Sequence, residues 1–184
     1  MKSNYSQALS LRMIKSRRLN LIAATPELIR KDIDGREFLS EALGVEIAQS
    51  WPPDLYGPQA MQFALTQLGE VSEQGWSFWY LLTPGDAGDL IGICGFKGRP
   101  DEAGSVEIGY SILNSYQCLG YATEAVARLV GWAFSHNNVN EVCAETLPHL
   151  IQSIRVLEKN GFEYTGAGSE TGVIRYAITR SNLN

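Results

Sequence analysis

Asn114-Ser115-Tyr116-Gln117-Cys118-Leu119-Gly120-Tyr121-Ala122-Thr123-Glu124 is the stretch on which the reading of this chain turns. A strand-like alternation ends just before it. A short loop carries Gln117 and Gly120, and a helical period begins at once, with Ala122, Ala125, Val126, Leu129, Val130 and Ala133 on one face. Backbone N–H groups at such a helix start lack intrahelical partners and stand at the positive end of the helix dipole. That makes a seat for a phosphate or pyrophosphate. Gly120 and the small Ala122 let a ligand approach the backbone closely. Taken alone, the stretch is also compatible with a plain strand-to-helix turn.

Working outward, the strand before the loop, 105–113, has two unlike faces. Val106, Ile108, Tyr110 and Ile112 form a bulky apolar face; Ser105, Glu107, Gly109, Ser111 and Leu113 form the other. A carboxylate among small residues inside a strand marks a cleft rather than packed core, because burying an unpaired carboxylate is costly. Upstream, strands are expected over 76–82 and 90–97, with turn clusters at 83–89 and 98–104; the three consecutive strands form an antiparallel meander. Earlier still, 18–24 reads as a strand. Thr25-Pro26-Glu27 caps a helix expected to run to about Leu43, and Pro58 opens another. Downstream come a strand over 139–146, a helix over 150–160 closed by Gly161, and a hairpin over 162–165 and 173–179. The expected architecture is α+β: a seven-stranded, mostly antiparallel mixed sheet with helices on both faces. Residues 1–17 are set apart as an N-terminal extension, either partly disordered or an extra strand, and 18–184 as a single domain.

Composition narrows the function classes. The chain has 184 residues, 45% of them apolar and 19% charged, an ordinary globular balance. A net charge of −5 argues against general nucleic-acid binding, which needs a basic face. No apolar run approaches a membrane span, and Arg12, Lys15, Arg17 and Arg18 interrupt any signal-peptide core. Cys94, Cys118 and Cys143 make an odd set without close spacing, and neither His136 nor His149 has ligand spacing to a cysteine. These features point to a reducing, cytoplasmic setting with no disulfide framework and no metal site.

The pattern Gln117-x-x-Gly120-x-Ala122 resembles the acyl-CoA loop of the GNAT N-acetyltransferase superfamily. Glu107-Ile108-Gly109-Tyr110 before it, Gly120-Tyr121-Ala122-Thr123-Glu124-Ala125 within it and Ser153-Ile154-Arg155-Val156-Leu157-Glu158-Lys159-Asn160-Gly161-Phe162 after it stand in the order of one branch. That branch is similar to the ribosomal-protein alanine N-acetyltransferases. The resemblance covers residues 89–165. It implies a three-layer α/β/α fold whose fourth and fifth strands splay into a V that takes acetyl-CoA. Carried over by position, Ser111 and Leu113 would give backbone contacts to the pantetheine arm. Gln117, Cys118, Leu119, Gly120, Tyr121 and Ala122 would wrap the pyrophosphate, with Thr123 adding a hydroxyl. The acceptor implied is a primary amine, on a protein N-terminus or a small molecule.

The resemblance also assigns the general base to the position of Glu107. A glutamate there can take a proton from the attacking amine directly or through a water. The plainer reading of Glu107 is a salt bridge to Arg99 or Arg175, and Glu145 on the next strand is the second candidate base. The asparagine and tyrosine that many family members carry on the later helix are replaced by Leu150 and Leu157, neither able to donate a proton. Ser153 is the nearest hydroxyl, either a weak donor to the departing thiol or a CoA contact. Cys118 at a helix start raises an acetyl-cysteine alternative. Trp51, Tyr56, Trp76 and Trp79 are candidates for the acceptor side, with 51–58 as a lid. A non-catalytic acyl-CoA-binding module is the alternative function, and a homodimer is left open.

Overall fold

The computed structural model describes residues 11–69, 74–85 and 88–182. In chain order the elements are β1 (Met13–Lys15), β2 (Asn20–Ala23), α1 (Pro26–Asp34), α2 (Arg36–Leu43), α3 (Pro58–Gln67), β3 (Phe78–Leu82), β4 (Leu90–Phe96), β5 (Ser105–Ile112), α4 (Tyr121–Phe134), β6 (Glu141–Thr146), α5 (Ile151–Lys159), β7 (Glu163–Ala167) and β8 (Ile174–Thr179). The strands form one sheet in the order β1-β2-β3-β4-β5-β6-β8-β7. Every neighbouring pair is antiparallel except β5 and β6, which run parallel through the α4 crossover. The sheet therefore has eight strands rather than the expected seven. The additional one is β1, which lies within the stretch 1–17 and pairs Ile14 with Leu21; residues 1–10 lie outside the described part.

Two cores sandwich the sheet. One packs α4 and α5 against Val106, Ile108 and Ile112 of β5 and around Trp79, Trp132 and Leu157. The other packs α1, α2 and α3 on Phe78, Tyr80, Leu82, Leu90 and Leu113. The α4 face follows the expected period, with Ala125, Val126, Leu129, Val130 and Ala133 buried. Thr25 caps α1 as expected, its hydroxyl accepting from the Leu28 amide at 3.2 Å. The helix foreseen to Leu43 is two helices. Gly35, with φ 149°, ends α1 and starts α2, a backbone state that a side chain would strain. Polar helix text runs through the break, so the period alone does not reveal it.

The four aromatic candidates for the acceptor side are all buried. Trp76 and Trp79 belong to the first core, Trp51 and Tyr56 to the second. The 51–58 loop is fastened from beneath, since the Trp51 indole and the Tyr56 hydroxyl both donate to Asp32, at 2.8 and 3.1 Å. Its outer face, Pro52, Asp54, Leu55 and Pro58, stands out in solvent.

Candidate active site

The pairing of β5 with β6 runs through Ser105–Glu141, Val106–Val142 and Glu107–Cys143 and stops there. Beyond that point β5 continues to Ile112 and β6 to Thr146 without pairing each other. This is the expected splay; with β1 counted it lies between the fifth and sixth strands. Glu107 stands at its vertex. A Cβ on Gly109, two residues along the same face, would meet no atom within contact distance, so the surface beside Glu107 is open.

Ladder geometry decides which backbone groups face the opening. The Lys97 amide donates to the Glu107 carbonyl at 3.0 Å, and the Leu113 amide donates to the Ile91 carbonyl at 2.9 Å. In an antiparallel ladder the hydrogen-bonded pairs alternate, so Gly109 and Ser111 also turn their polar groups to β4. Those turned toward β6 belong to Tyr110 and Ile112. Ser111 and Leu113, expected to offer backbone contacts, turn theirs to β4 instead, and the Leu113 side chain is buried in the second core. The Ile112 carbonyl already accepts from the Gln117 side-chain amide at 3.0 Å, and the same amide donates to Asn114 Oδ1 at 2.9 Å. The Gln117 side chain thus braces the loop against the end of β5.

The loop brings Cys118, Leu119, Gly120, Tyr121, Ala122 and Thr123 to the start of α4. Cys118 and Gly120 both take left-handed backbone, at φ 59° and 84°. For the cysteine that state carries strain, roughly 1–3 kcal/mol, held by the surrounding contacts. Cys118, Leu119 and Gly120 are exposed; Tyr121, Ala122 and Thr123 are half-buried. No side chain caps α4, so its first amides are left for another partner. These features fit the phosphates of a nucleotide-bearing thioester. Cys118 is exposed, and among the described residues no histidine is bonded to it.

Arg18, not foreseen as a site residue, reaches this loop from the segment between β1 and β2. Its Nε meets Glu124 Oε2 at 2.7 Å, its Nη1 donates to the Leu119 carbonyl at 3.0 Å, and its guanidinium lies 4.6 Å over the Tyr121 ring. Glu124 also accepts from the Arg18 amide at 2.6 Å and the Ser16 hydroxyl at 2.7 Å. Burial pushes the Glu124 carboxyl up, but these bonds and the Arg18 charge outweigh it and hold it below the usual range.

Around the vertex the charges are paired. Glu107 forms an ion pair with Lys97, a partner other than either arginine foreseen for it. Glu141 meets Arg175 at 2.6 Å and accepts from the Ser105 hydroxyl at 2.8 Å. Glu145 accepts from the Ser169 hydroxyl and amide at 2.6 and 2.8 Å, which holds its carboxyl below the usual range against a smaller effect of burial. The Cys143 thiol, paired across from Glu107, is pushed up by burial. On the opposite wall, Ser153 in the first turn of α5 meets Tyr110: the phenol oxygen lies 3.0 Å from both the Ser153 hydroxyl and its carbonyl. Leu157 is fully buried and Leu150 exposed. Among the described residues no three His, Cys, Asp or Glu side chains gather as a metal site, and no helix is long and apolar enough to cross a membrane.

The GNAT acetyltransferase domain model matches residues 22–163. The chain belongs to the GNAT acetyltransferase family. Among curated relatives of this acetyltransferase, the uncharacterized N-acetyltransferase YjdG of Bacillus subtilis (strain 168) is 31% identical over 120 residues, covering 65% of this chain and 71% of YjdG. The [ribosomal protein uS5]-alanine N-acetyltransferase of Escherichia coli (strain K12) is 28% identical over 112 residues, 59% of this chain and 57% of that protein. With other curated relatives the match spans about half of their length. Among solved structures, the acetyltransferase from Agrobacterium tumefaciens str. C58 superposes with a TM-score of 0.64 at 20% identity, over 97% of this chain and 100% of that one. RimL, a ribosomal L7/L12 alpha-N-protein acetyltransferase solved in complex with coenzyme A, gives 0.62 at 16% identity, over 91% and 98%. At these identities the structural matches speak for the fold.

Proposed function

We propose that this GNAT acetyltransferase moves the acetyl group of acetyl-CoA to a primary amine by direct attack, with Glu107 as the general base. The observation that carries the reading is the ending of the β5–β6 ladder at Glu107, which puts a carboxylate at the vertex of a cleft that opens toward the α4 loop. The amides of Cys118 to Thr123 would hold the phosphates, and the backbone groups of Tyr110 and Ile112 would meet the pantetheine arm. Bound there, acetyl-CoA supplies an activated carbonyl. The amine nitrogen bonds to that carbon, the C–S bond breaks with its electron pair leaving on sulfur, and the ammonium proton passes to Glu107 and on to water. Lys97 is the cation that an incoming amine must sit beside or displace.

The acceptor is a protein N-terminus or a small amine. The relatives named for ribosomal-protein alanine acetylation favour trying an alanine-terminated peptide first. Calorimetric titration with acetyl-CoA on the wild type and on Gly120→Trp tests the loop, and acetylation of that peptide by Glu107→Gln tests the base. Saturable binding is expected for the wild type and lost in Gly120→Trp, whose bulk has the Arg18 guanidinium 3.3 Å from its Cβ. Glu107→Gln should bind acetyl-CoA as before and turn over roughly 10²–10⁴-fold more slowly. A wild type that does not bind acetyl-CoA sinks the proposal. Binding with turnover that is insensitive to Glu107→Gln removes the base assignment alone, and binding without turnover of any amine favours the acyl-CoA-binding module.

A further inference from the structure

Past the last β5–β6 pair, the two walls of the cleft are tied by a side chain. Tyr110 leaves β5 on the α5 side, and its phenol oxygen sits 3.0 Å from Ser153 Oγ and 3.0 Å from the Ser153 carbonyl. The first turn of α5 has no side-chain cap, and Leu150 at its N-cap offers no polar atom. The helix also lacks a phenol of its own, since Leu157 is packed in the core. The phenol at this place comes instead from the opposite strand. The groups facing it are Ser153 on α5 and, from β4, the buried Cys94 at its paired position.

We propose that Tyr110 is a positioning residue for the departing thiol of CoA, acting through the Ser153 hydroxyl; this rests on the acetyl-transfer reading above. The phenol has one hydrogen and two acceptors within reach. When it donates to the Ser153 carbonyl, the serine hydroxyl can spend its own hydrogen on the phenol oxygen. When it donates to Ser153 Oγ, the serine hydrogen is released toward a third acceptor. Negative charge on a sulfur in the cleft selects the second arrangement, because a hydroxyl that accepts one hydrogen bond donates a stronger one. The result is a chain from Tyr110 to Ser153 to the thiolate. Burial pushes the phenol up to about 12, against the opposing effect of the Ser153 bond, so it keeps its proton. The electron pair of the broken C–S bond stays on sulfur, the amine proton leaves through Glu107, and neither Tyr110 nor Ser153 ionises. A phenol on β5 thereby gives a short serine hydroxyl the fixed direction it lacks alone.

The test is the ultraviolet titration of the thiol of CoA bound to the enzyme, with CoA affinity measured separately by calorimetry at a pH where the thiol is neutral. The bound thiol is expected to titrate below free CoA in the wild type. Tyr110→Phe and Ser153→Ala should each raise its midpoint by about one unit, the size of one hydrogen bond to a charged group. The double variant should go no higher than either single, Ser153→Thr should keep the wild-type midpoint, and the separately measured affinity sets the CoA concentration at which each variant is saturated. Should Tyr110→Phe fold poorly, fluorotyrosine at position 110 keeps the ring, sharpens the donor and is expected to lower the midpoint. A midpoint unmoved by Tyr110→Phe or by fluorotyrosine, or single shifts that add in full, overturns the role of Tyr110. Failure of the wild type to bind CoA overturns the acetyl-transfer reading itself.

Discussion

Among the described residues Asp32 has no cation for a partner. The carboxylate lies buried beneath the 51–58 loop and accepts from Trp51 Nε1 at 2.8 Å, Tyr80 Oη at 3.0 Å and Tyr56 Oη at 3.1 Å. Burial raises its carboxyl above the usual value of 3.8, and the three hydrogen bonds only partly offset that. Its cost and its worth lie in different places. Ionising it in the core is unfavourable, yet removing it strands three buried donors. Asp32→Ala should therefore lose about 3 kcal/mol of unfolding free energy, read from urea denaturation, where leaving buried donors unpaired is the dominant loss. Because the folded group binds its proton more tightly than the unfolded one, its contribution is fully present below pH 3.8 and falls as pH rises through the folded pKa. The variant's deficit should accordingly not vanish at neutral pH, since the donors remain unpaired whatever the charge.

At the scale of elements, α4 is held at its first turn by a piece of chain far away in sequence. Ser16 and Arg18, flanking the β1–β2 turn, converge on Glu124, while Arg128 one turn further along donates to the Lys15 carbonyl at 2.9 Å. The same Arg18 touches the loop at Leu119 and Tyr121, so the segment after β1 steadies the loop as well as the helix. Glu124 is depressed in the folded state, so the stability it gives is present above its unfolded value of 4.5 and is lost as pH falls through the folded pKa. Glu124→Gln should lower the melting temperature near neutral pH and flatten its decline on acidification below that value. A variant whose melting temperature falls with acid as steeply as the wild type's would show that the clip contributes nothing.

Across the whole molecule, the cleft is a joint between two halves of one sheet. The β1–β5 half is antiparallel throughout, the β6–β8 half likewise, and three paired residues with the α4 crossover connect them. A ligand seated on the α4 loop and the free edge of β5 therefore bridges elements that few backbone bonds join. Acetyl-CoA at a hundred times its dissociation constant should add about 2.7 kcal/mol to stability. For a chain of this size that corresponds to a rise of roughly 5–10 °C in melting temperature, measured by calorimetry or tryptophan fluorescence. Glu107→Gln should show the same rise, and Gly120→Trp none.

The sequence by itself carried the family, through the resemblance of its motif blocks at 107–110, 117–125 and 153–162, and it carried the main strands and helices because these are local: a strand period of two, a helical period of 3.6 and a glycine at a helix start are written in adjacent residues. It left open the strand count, since β1 has only three residues and too little pattern to declare itself. The break at Gly35 was hidden by helix-forming residues on both sides. Which backbone groups face the cleft was settled only by the register of β5 on β4, which no single strand reveals. The partners of Glu107, Glu124, Ser153 and Asp32, namely Lys97, Arg18, Tyr110 and the Trp51–Tyr56–Tyr80 trio, were likewise decided only by the tertiary structure. Side-chain pairing across distant elements depends on where the packed layers bring them, and the sequence spacing that separates the members carries no trace of it.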